Sequence, residues 1–481
     1  MSPHVALAAP HPAAVEAGRA AVAAGGNALD AALAAAAALT VVYPHQCSIG
    51  GDLVAVVRPA GHAPAAVLSI GAAALNIDVG ALPSMPMTGP LSVTVPGVVA
   101  GWAAVAGLGA RLSWAERLAP AIGLAAGGVP VSAGLARAIH DRADVIATDP
   151  GLSALLAGDT LIQPALAASL TAVAGNWRTF YKGHLGHRLA DGLARLGSPL
   201  TVADLAAHTA EVTEPLTATA HGAEWYAAPP PSQGATFLAV LGADDLLGTA
   251  RRAQLARDAL LGDPRTGPVD LDGLLLRPDR KPGPVAAGPR PTGDTVAVTA
   301  VGADGTAVTL IQSVFQSFGA GLLDPGTGIV LHNRGSAFSL DPAHPGRLAP
   351  GARPPHTLCP SIALAGDTVL ALGCQGGRSQ PWILAQVAAG VLAGPDPAEV
   401  VGRPRWVIGG RDLGHDRYTL VLEPGLPAPP VAGLGPAGLG LAVLTTERRH
   451  DDAGHVQVAR LSGGTLTAAS DPRADGVAAV L

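Results

Sequence analysis

The chain has 481 residues, 49% apolar and 14% charged, a profile that builds a packed core and excludes a disordered protein. Its length allows one large domain or two to three ordinary ones. The net charge of −6 leaves no basic face for nucleic acid.

The opening "MSPHVALAAPHPAAVEAG" lacks the basic and then apolar order of a secretory signal. Residues 12–43 read as helix, break, helix. The break is "GGN" at 25–27, and Asn27 is placed to cap the second helix. That second helix is the most apolar run of the chain. It carries Asp30, is mostly alanine, and falls short of the about 20 strongly apolar residues of a membrane span. "YPHQCSIGGDLVAVV" reads as a turn and a strand, with Gly50-Gly51 marking a close backbone approach. Residues 95–205 are largely helical in pattern, and Thr201 can cap one of these helices. "YAAPPPSQGATFLAVL" is a rigid loop leading into a further helix.

Residues 263–294 are rich in Pro, Gly and Arg and are expected to be loop. A β alternation then starts abruptly at Thr295 and runs to Val301. "ADG" at 303–305 turns the chain, and Val308 to Val314 returns as a second strand. Strands near 360–373, a helix at 380–395 and a β-rich end follow. The order suits helices packed on antiparallel sheets rather than a doubly wound parallel fold. Cys47, Cys359 and Cys374 are odd in number and lack metal-ligand spacing, which fits buried free thiols in a reducing, cytoplasmic setting.

A threonine opening a buried strand behind a linker invites one chemistry. Cleavage at Asp294–Thr295 would place a free α-amine on the residue that carries the hydroxyl. Such an amine has an unperturbed pKa of about 7.7–8.0 and can take the hydroxyl proton near neutrality. From spacing alone, Thr295 also fits as an ordinary β-branched strand residue.

The longer motifs discriminate. "AAGGNALDAALAAAAALTVVYPHQCSIGGDL", "SVTVPGVVAGW", "FYKGHLGHRLADGL", "PPPSQG", "GDTVAVTAVGADGTAVTLIQS" and "SDPRADG", in that order, resemble the gamma-glutamyltranspeptidase family of N-terminal-nucleophile hydrolases. The resemblance implies an α+β fold, a four-layer αββα sandwich. It implies a segment 1–294 ending in a linker and a segment 295–481 opening on the nucleophile, the two forming one domain as a processed heterodimer. Thr295 matches the processing and catalytic threonine. Ser313 falls where the family has a second threonine bonded to the nucleophile. Gly376 and Gly377 in "GCQGGRSQ" match the oxyanion-hole glycines. The family needs no metal or cofactor. The run His450, Asp451, Asp452 and His455, though ligand-like in type, reads as a solvated turn.

The departures concern the substrate's amino-acid head. Ala337 stands where glutamyl-specific members carry an Asp for the α-amine, and Phe315 replaces a pocket asparagine. "SIGAAAL" lacks the carboxylate-binding arginine, and His356-Thr357 replaces a Ser-Ser pair. The stretch beginning "HNRGSAFSL" looks more like the cytoplasmic subgroup that contains oxamate amidohydrolase. Arg334 and Arg378 could each fork onto a small carboxylate. The expected activity is cleavage of a small acyl amide, with water or an amine as acceptor. Two alternatives stay open: a C–C bond-cleaving, oxalyl-releasing relative in antibiotic alkylproline biosynthesis, and a degenerate binding or scaffold protein.

Overall fold

The computed structural model describes residues 4–277, 294–410, 414–427 and 438–481, and Asp294 by its backbone only. Half of the expected linker, residues 278–293, lies outside the described residues. Its first part is not wholly loop: Leu271–Leu274 forms one helical turn, because Asp270 caps it by accepting from Gly273 N (3.0 Å).

Two antiparallel sheets lie face to face. In the first, the spatial order is Val477–Val480, Val5–Ala9, Asp294–Gly302, Ala307–Phe315, Asp52–Arg58, Ala65–Ser69 and Glu211–Thr213. In the second it is Thr465–Ser470, Val456–Ser462, Thr368–Cys374, Ser361–Ala365, Ala223–Ala227 and Leu216–Ala220. Helices Pro12–Ala23, Ala28–Val42 and Val98–Gly107 cover the outer face of the first sheet. Gly234–Val240 and Gln380–Ala393 cover that of the second. The result is the αββα sandwich expected from the resemblance. Strands from before and after residue 294 contribute to both sheets.

The helix Ala28–Val42 shows why so much alanine is present. All of its residues are buried between the sheet and neighbouring helices. Alanine has the best helix propensity and lets backbones approach closely. Asn27 caps it in a capping box with Asp30, as the sequence indicates. Among the described residues, no helix is long and apolar enough to cross a membrane.

The hairpin at Asp294–Gly302 and Ala307–Phe315 forms where the alternation predicts it. Val296, Val298 and Ala300 pack toward the helices, whereas Ala297 and Val301 pack between the sheets. A strand's two-residue period therefore turns Thr295 to the inter-sheet side. Gly50 and Gly51 make the close approach the sequence suggests. A Cβ on Gly50 would sit 2.2 Å from Val330 O, and one on Gly51 2.2 Å from Ser313 O. The Gly51 contact presses the 48–51 turn onto the strand end that holds Ser313, and the Gly50 contact presses it onto the strand Ile329–Leu331. The strand Val5–Ala9 and the small sheet of Trp406–Gly409, Thr419–Leu422 and Ala442–Thr445 do not stand out in the sequence.

Candidate active site

Thr295 is 1% exposed, and its Oγ1 donates to Ser313 Oγ at 3.2 Å. The Ser313 hydroxyl in turn accepts from Phe315 N (2.8 Å). That second bond exists because the ladder bulges: Gln312 pairs with Val296, but the next pair is Phe315 with Asp294. The bulge holds Phe315 at φ +80, a left-handed conformation that typically costs a bulky residue about 1–3 kcal/mol. Strain of this size persists only where surrounding contacts fix it, and here it aims the ring toward Arg334.

A second loop follows the strand Thr368–Cys374. Gly376 (φ +140) and Gly377 (φ +50) both adopt backbone that side chains disfavour, and a Cβ on Gly376 would lie 2.6 Å from Ile383 Cδ1. Gly376 O accepts from Ser379 N (2.8 Å), and because the peptide is planar this aims the Gly377 N–H the opposite way. Neither glycine N–H has an acceptor among the described residues. Both sit just before the helix Gln380–Ala393, whose N-terminal dipole favours negative charge. Gln233, fully buried, donates through Nε2 to Thr357 O (2.5 Å) and Gly377 O (2.8 Å). Its Oε1 accepts from Arg257 Nη1 (2.8 Å). One amide thus ties this loop to the 356–357 segment.

The third group centres on Arg334, also 1% exposed. Its guanidinium carbon lies 3.6 Å from the Phe315 ring centroid, and Nη2 donates to Thr357 Oγ1 (3.1 Å). Nε and Nη1 have no partner among the described residues. Burial lowers its hold on the proton, yet a guanidinium stays charged. Asp52 pairs in register with Ser313 on the neighbouring strand. Its Oδ1 accepts from Gly71 N (2.9 Å), and its Oδ2 faces His356 Nε2 (3.2 Å) and His332 Nδ1 (3.5 Å). Burial pushes the Asp52 carboxyl up to about 7, against the pull of Gly71 N–H, Arg334 and Arg353. Burial also draws His332 down to about 4 and His356 well below the usual histidine range.

Ala337 ends the short turn that begins at Arg334, and the next residue, Phe338, packs with Ala73, Met85, Leu348 and Ala352 in an apolar cluster. Arg378 differs from the sequence expectation of an open carboxylate contact. Its guanidinium pairs with Asp258 on the helix Leu246–Leu260, and its carbonyl accepts from Arg257. His45 lies elsewhere, on a polar cavity of about 630 Å³ that Gln375, Ser317 and His455 also line. At its rim His450 pairs with Asp452 (3.1 Å) and Asp451 with Arg137 (3.3 Å). The three cysteines are buried and unpaired.

The structure therefore brings Thr295, Ser313 and Phe315 together at the bulged end of one pair of strands. It joins Arg334, His356 and Thr357 to them through the Phe315 stack and the Asp52 pairing, and it links Gly377 through Gln233. Sequence reasoning misses Asp52, His332 and Gln233. The one available signal for Asp52 is an acid at the head of the otherwise apolar "DLVAVV" strand.

Comparison with known proteins gives concordant results. The family described as Gamma-glutamyltranspeptidase matches residues 14–481. An oxamate amidohydrolase proenzyme of Klebsiella pneumoniae is 38% identical, over 100% of this chain and 99% of that protein. A glutathione hydrolase-like proenzyme, YwrD, of Bacillus subtilis is 33% identical, over 98% and 97%. A crystal structure of cephalosporin acylase from Bacillus halodurans superposes with a TM-score of 0.86 at 29% identity, covering 99% of this chain and 96% of that one.

Proposed function

The chain is an enzyme of the gamma-glutamyltranspeptidase family, and from that premise we propose that it is an autoprocessing amidohydrolase for a small acyl group bearing a carboxylate and no α-amine. In processing, Thr295 Oγ1 adds to the carbonyl carbon of Asp294. The C–N bond breaks, nitrogen keeps the electron pair and takes a proton, and an ester remains. Water cleaves that ester to the Asp294 carboxylate and a Thr295 with free amine and hydroxyl. In turnover the α-amine takes the hydroxyl proton as Oγ1 attacks the substrate amide. The N–H groups of Gly376 and Gly377 hold the oxyanion, and the leaving amine departs with the proton. Water, or an amine acceptor, then releases the acyl group. Ser313 orients the attacking hydroxyl.

The observation that carries the substrate reading is Arg334. A buried guanidinium with no ion pair and two unpartnered nitrogens among the described residues is costly unless an anion completes it. Phe315 beneath it and the apolar cluster beyond Ala337 offer nothing to an ammonium. The unpaired cysteines support a reducing compartment. Intact mass of the purified protein tests the first half: fragments 1–294 and 295–481 are expected, with Thr295→Ala remaining one chain. Kinetics on oxamate, succinamate and gamma-glutamyl anilide test the second. A wide advantage for the glutamyl substrate would sink the carboxylate-without-amine reading.

A further inference from the structure

Arg334 brings its charge into the protein interior without an ion pair among the described residues. Asp52 is the carboxyl whose field reaches it, yet Asp52 stands apart, held between two histidines. The hydrogen bonds define both histidine tautomers. His332 Nε2 lies 2.9 Å from Thr94 O, an atom that can only accept, so Nε2 carries the proton and Nδ1 the lone pair. His356 Nδ1 accepts from Leu358 N (3.3 Å), so its proton is on Nε2, which donates to Asp52 Oδ2. Oδ2 therefore meets one donor and, 3.5 Å away, the lone pair of His332 Nδ1. An ionised Oδ2 would set lone pair against lone pair in a buried site. A protonated Oδ2 offers His332 Nδ1, which otherwise has no hydrogen-bond partner, a donor. Placing the proton on His332 instead would put a second cation beside Arg334, and burial and that same guanidinium both oppose it.

We propose that Asp52 is held as a neutral carboxylic acid between His332 and His356, leaving Arg334 as the uncompensated cation that selects a substrate carboxylate. Asp52 is then a specificity-determining residue that acts through Arg334, and the inference rests on the carboxylate reading above. Its consequence is competition: once ionised, Asp52 and the ligand carboxylate share one guanidinium, and ligand binding weakens. The upward shift of Asp52 to about 7 places that change near neutrality. The Thr295 α-amine freed by processing, beside Ser313, has an unperturbed pKa of about 7.7–8.0 and is common to wild type and Asp52→Asn, so the variant separates its effect from that of Asp52. The remaining groups around Asp52 do not titrate there. Arg353 is paired with Asp263 and Glu211, Tyr181 is pushed up by burial, and His208, reaching Ser69 on the next strand, is drawn down to about 3.

The test uses processed wild-type protein and Asp52→Asn, with oxalate as a non-reacting competitive inhibitor and a neutral amide as control substrate. For wild type, the oxalate inhibition constant is expected to rise at least about tenfold as pH climbs through 7, since one pH unit above the pKa corresponds to one factor of ten. The KM of the neutral amide should stay within about twofold, on the same reasoning that no charge is shared. In Asp52→Asn the rise through pH 7 should be lost, leaving only the change that follows the Thr295 α-amine at higher pH, with binding at pH 6 within about threefold of wild type. Infrared difference spectra of wild type alone should show a protonated carboxyl band disappearing over the same range, which decides the matter if the variant does not fold. Oxalate binding that is flat with pH in wild type, or an unchanged rise in Asp52→Asn, overturns the inference alone. Failure of oxalate to bind at any pH overturns the carboxylate reading and this inference with it.

Discussion

In the proposed mechanism the glycine loop offers a reacting carbonyl backbone N–H groups, whereas the Arg334 end offers a carboxylate side chains drawn from three separate segments. The first set is placed by the end of the strand Thr368–Cys374, by two glycines at positive φ and by the helix that follows. The second depends on Arg334, Thr357, Phe315 and Asp52 each keeping its neighbours. Backbone donors survive substitution of surrounding side chains, whereas a side-chain cradle is rewritten by a few changes. Of the departures from the glutamyl-specific pattern, Phe315 and Thr357 belong to the second set, His356 faces its Asp52, and Ala337 ends the turn that begins at Arg334. On the proposed reading, this contrast lets one reaction type be kept while the acyl group changes.

The comparison is broken most severely at the loop. Gly376→Ala forces a Cβ against Ile383 at φ +140. It should lower kcat by about 10²–10³, the usual cost of a misplaced oxyanion donor. The oxalate inhibition constant should stay within about twofold, because the cradle is untouched. A pure KM effect in steady-state kinetics would contradict the assignment of the two sets.

Arg334→Ala attacks the other end. A charge-assisted pair of this kind is typically worth about 1.5–3 kcal/mol, so kcat/KM on oxamate should fall about ten- to a hundredfold. Activity on a neutral amide should change by less than about threefold, by the same arithmetic applied to a ligand with no charge. Self-cleavage should proceed as in wild type, since that step uses Asp294, Thr295 and their immediate surroundings. Loss of cleavage in this variant would show that the two sets are not separable.

Gln233→Ala blurs the distinction, because that amide holds Thr357 O and Gly377 O at once. A decrease in kcat and an increase in KM are both expected, each about five- to tenfold, the scale of one lost buried hydrogen bond. A change confined to one parameter would assign Gln233 to one end only.

Much of the architecture was legible without coordinates. The break at "GGN", the caps at Asn27 and Thr201, the switch to β alternation at Thr295 and the "ADG" turn are local signals, and each appears where its pattern indicates. The strand Val5–Ala9 was not legible, because "VALAA" is a short apolar run without alternation. It is a strand because Asp294–Gly302 and Val477–Val480 flank it. Arg378 reads as a second cradle cation until Asp258, 120 positions earlier in the chain, is seen to engage it.

The sequence by itself determined the locally marked elements, the side of the strand on which Thr295 and Ser313 lie, and the absence of an acid at position 337, since periodicity and residue identity are properties of the chain alone. Only the tertiary structure decided what those residues face. Asp52, His332, Arg334 and His356 come from different strands and loops, and none carries a local mark of its charge state. Whether a carboxyl ionises, or a guanidinium stays unpaired, depends on burial and on which donors the fold brings within hydrogen-bond reach, and those contacts exist only after the sheets have packed.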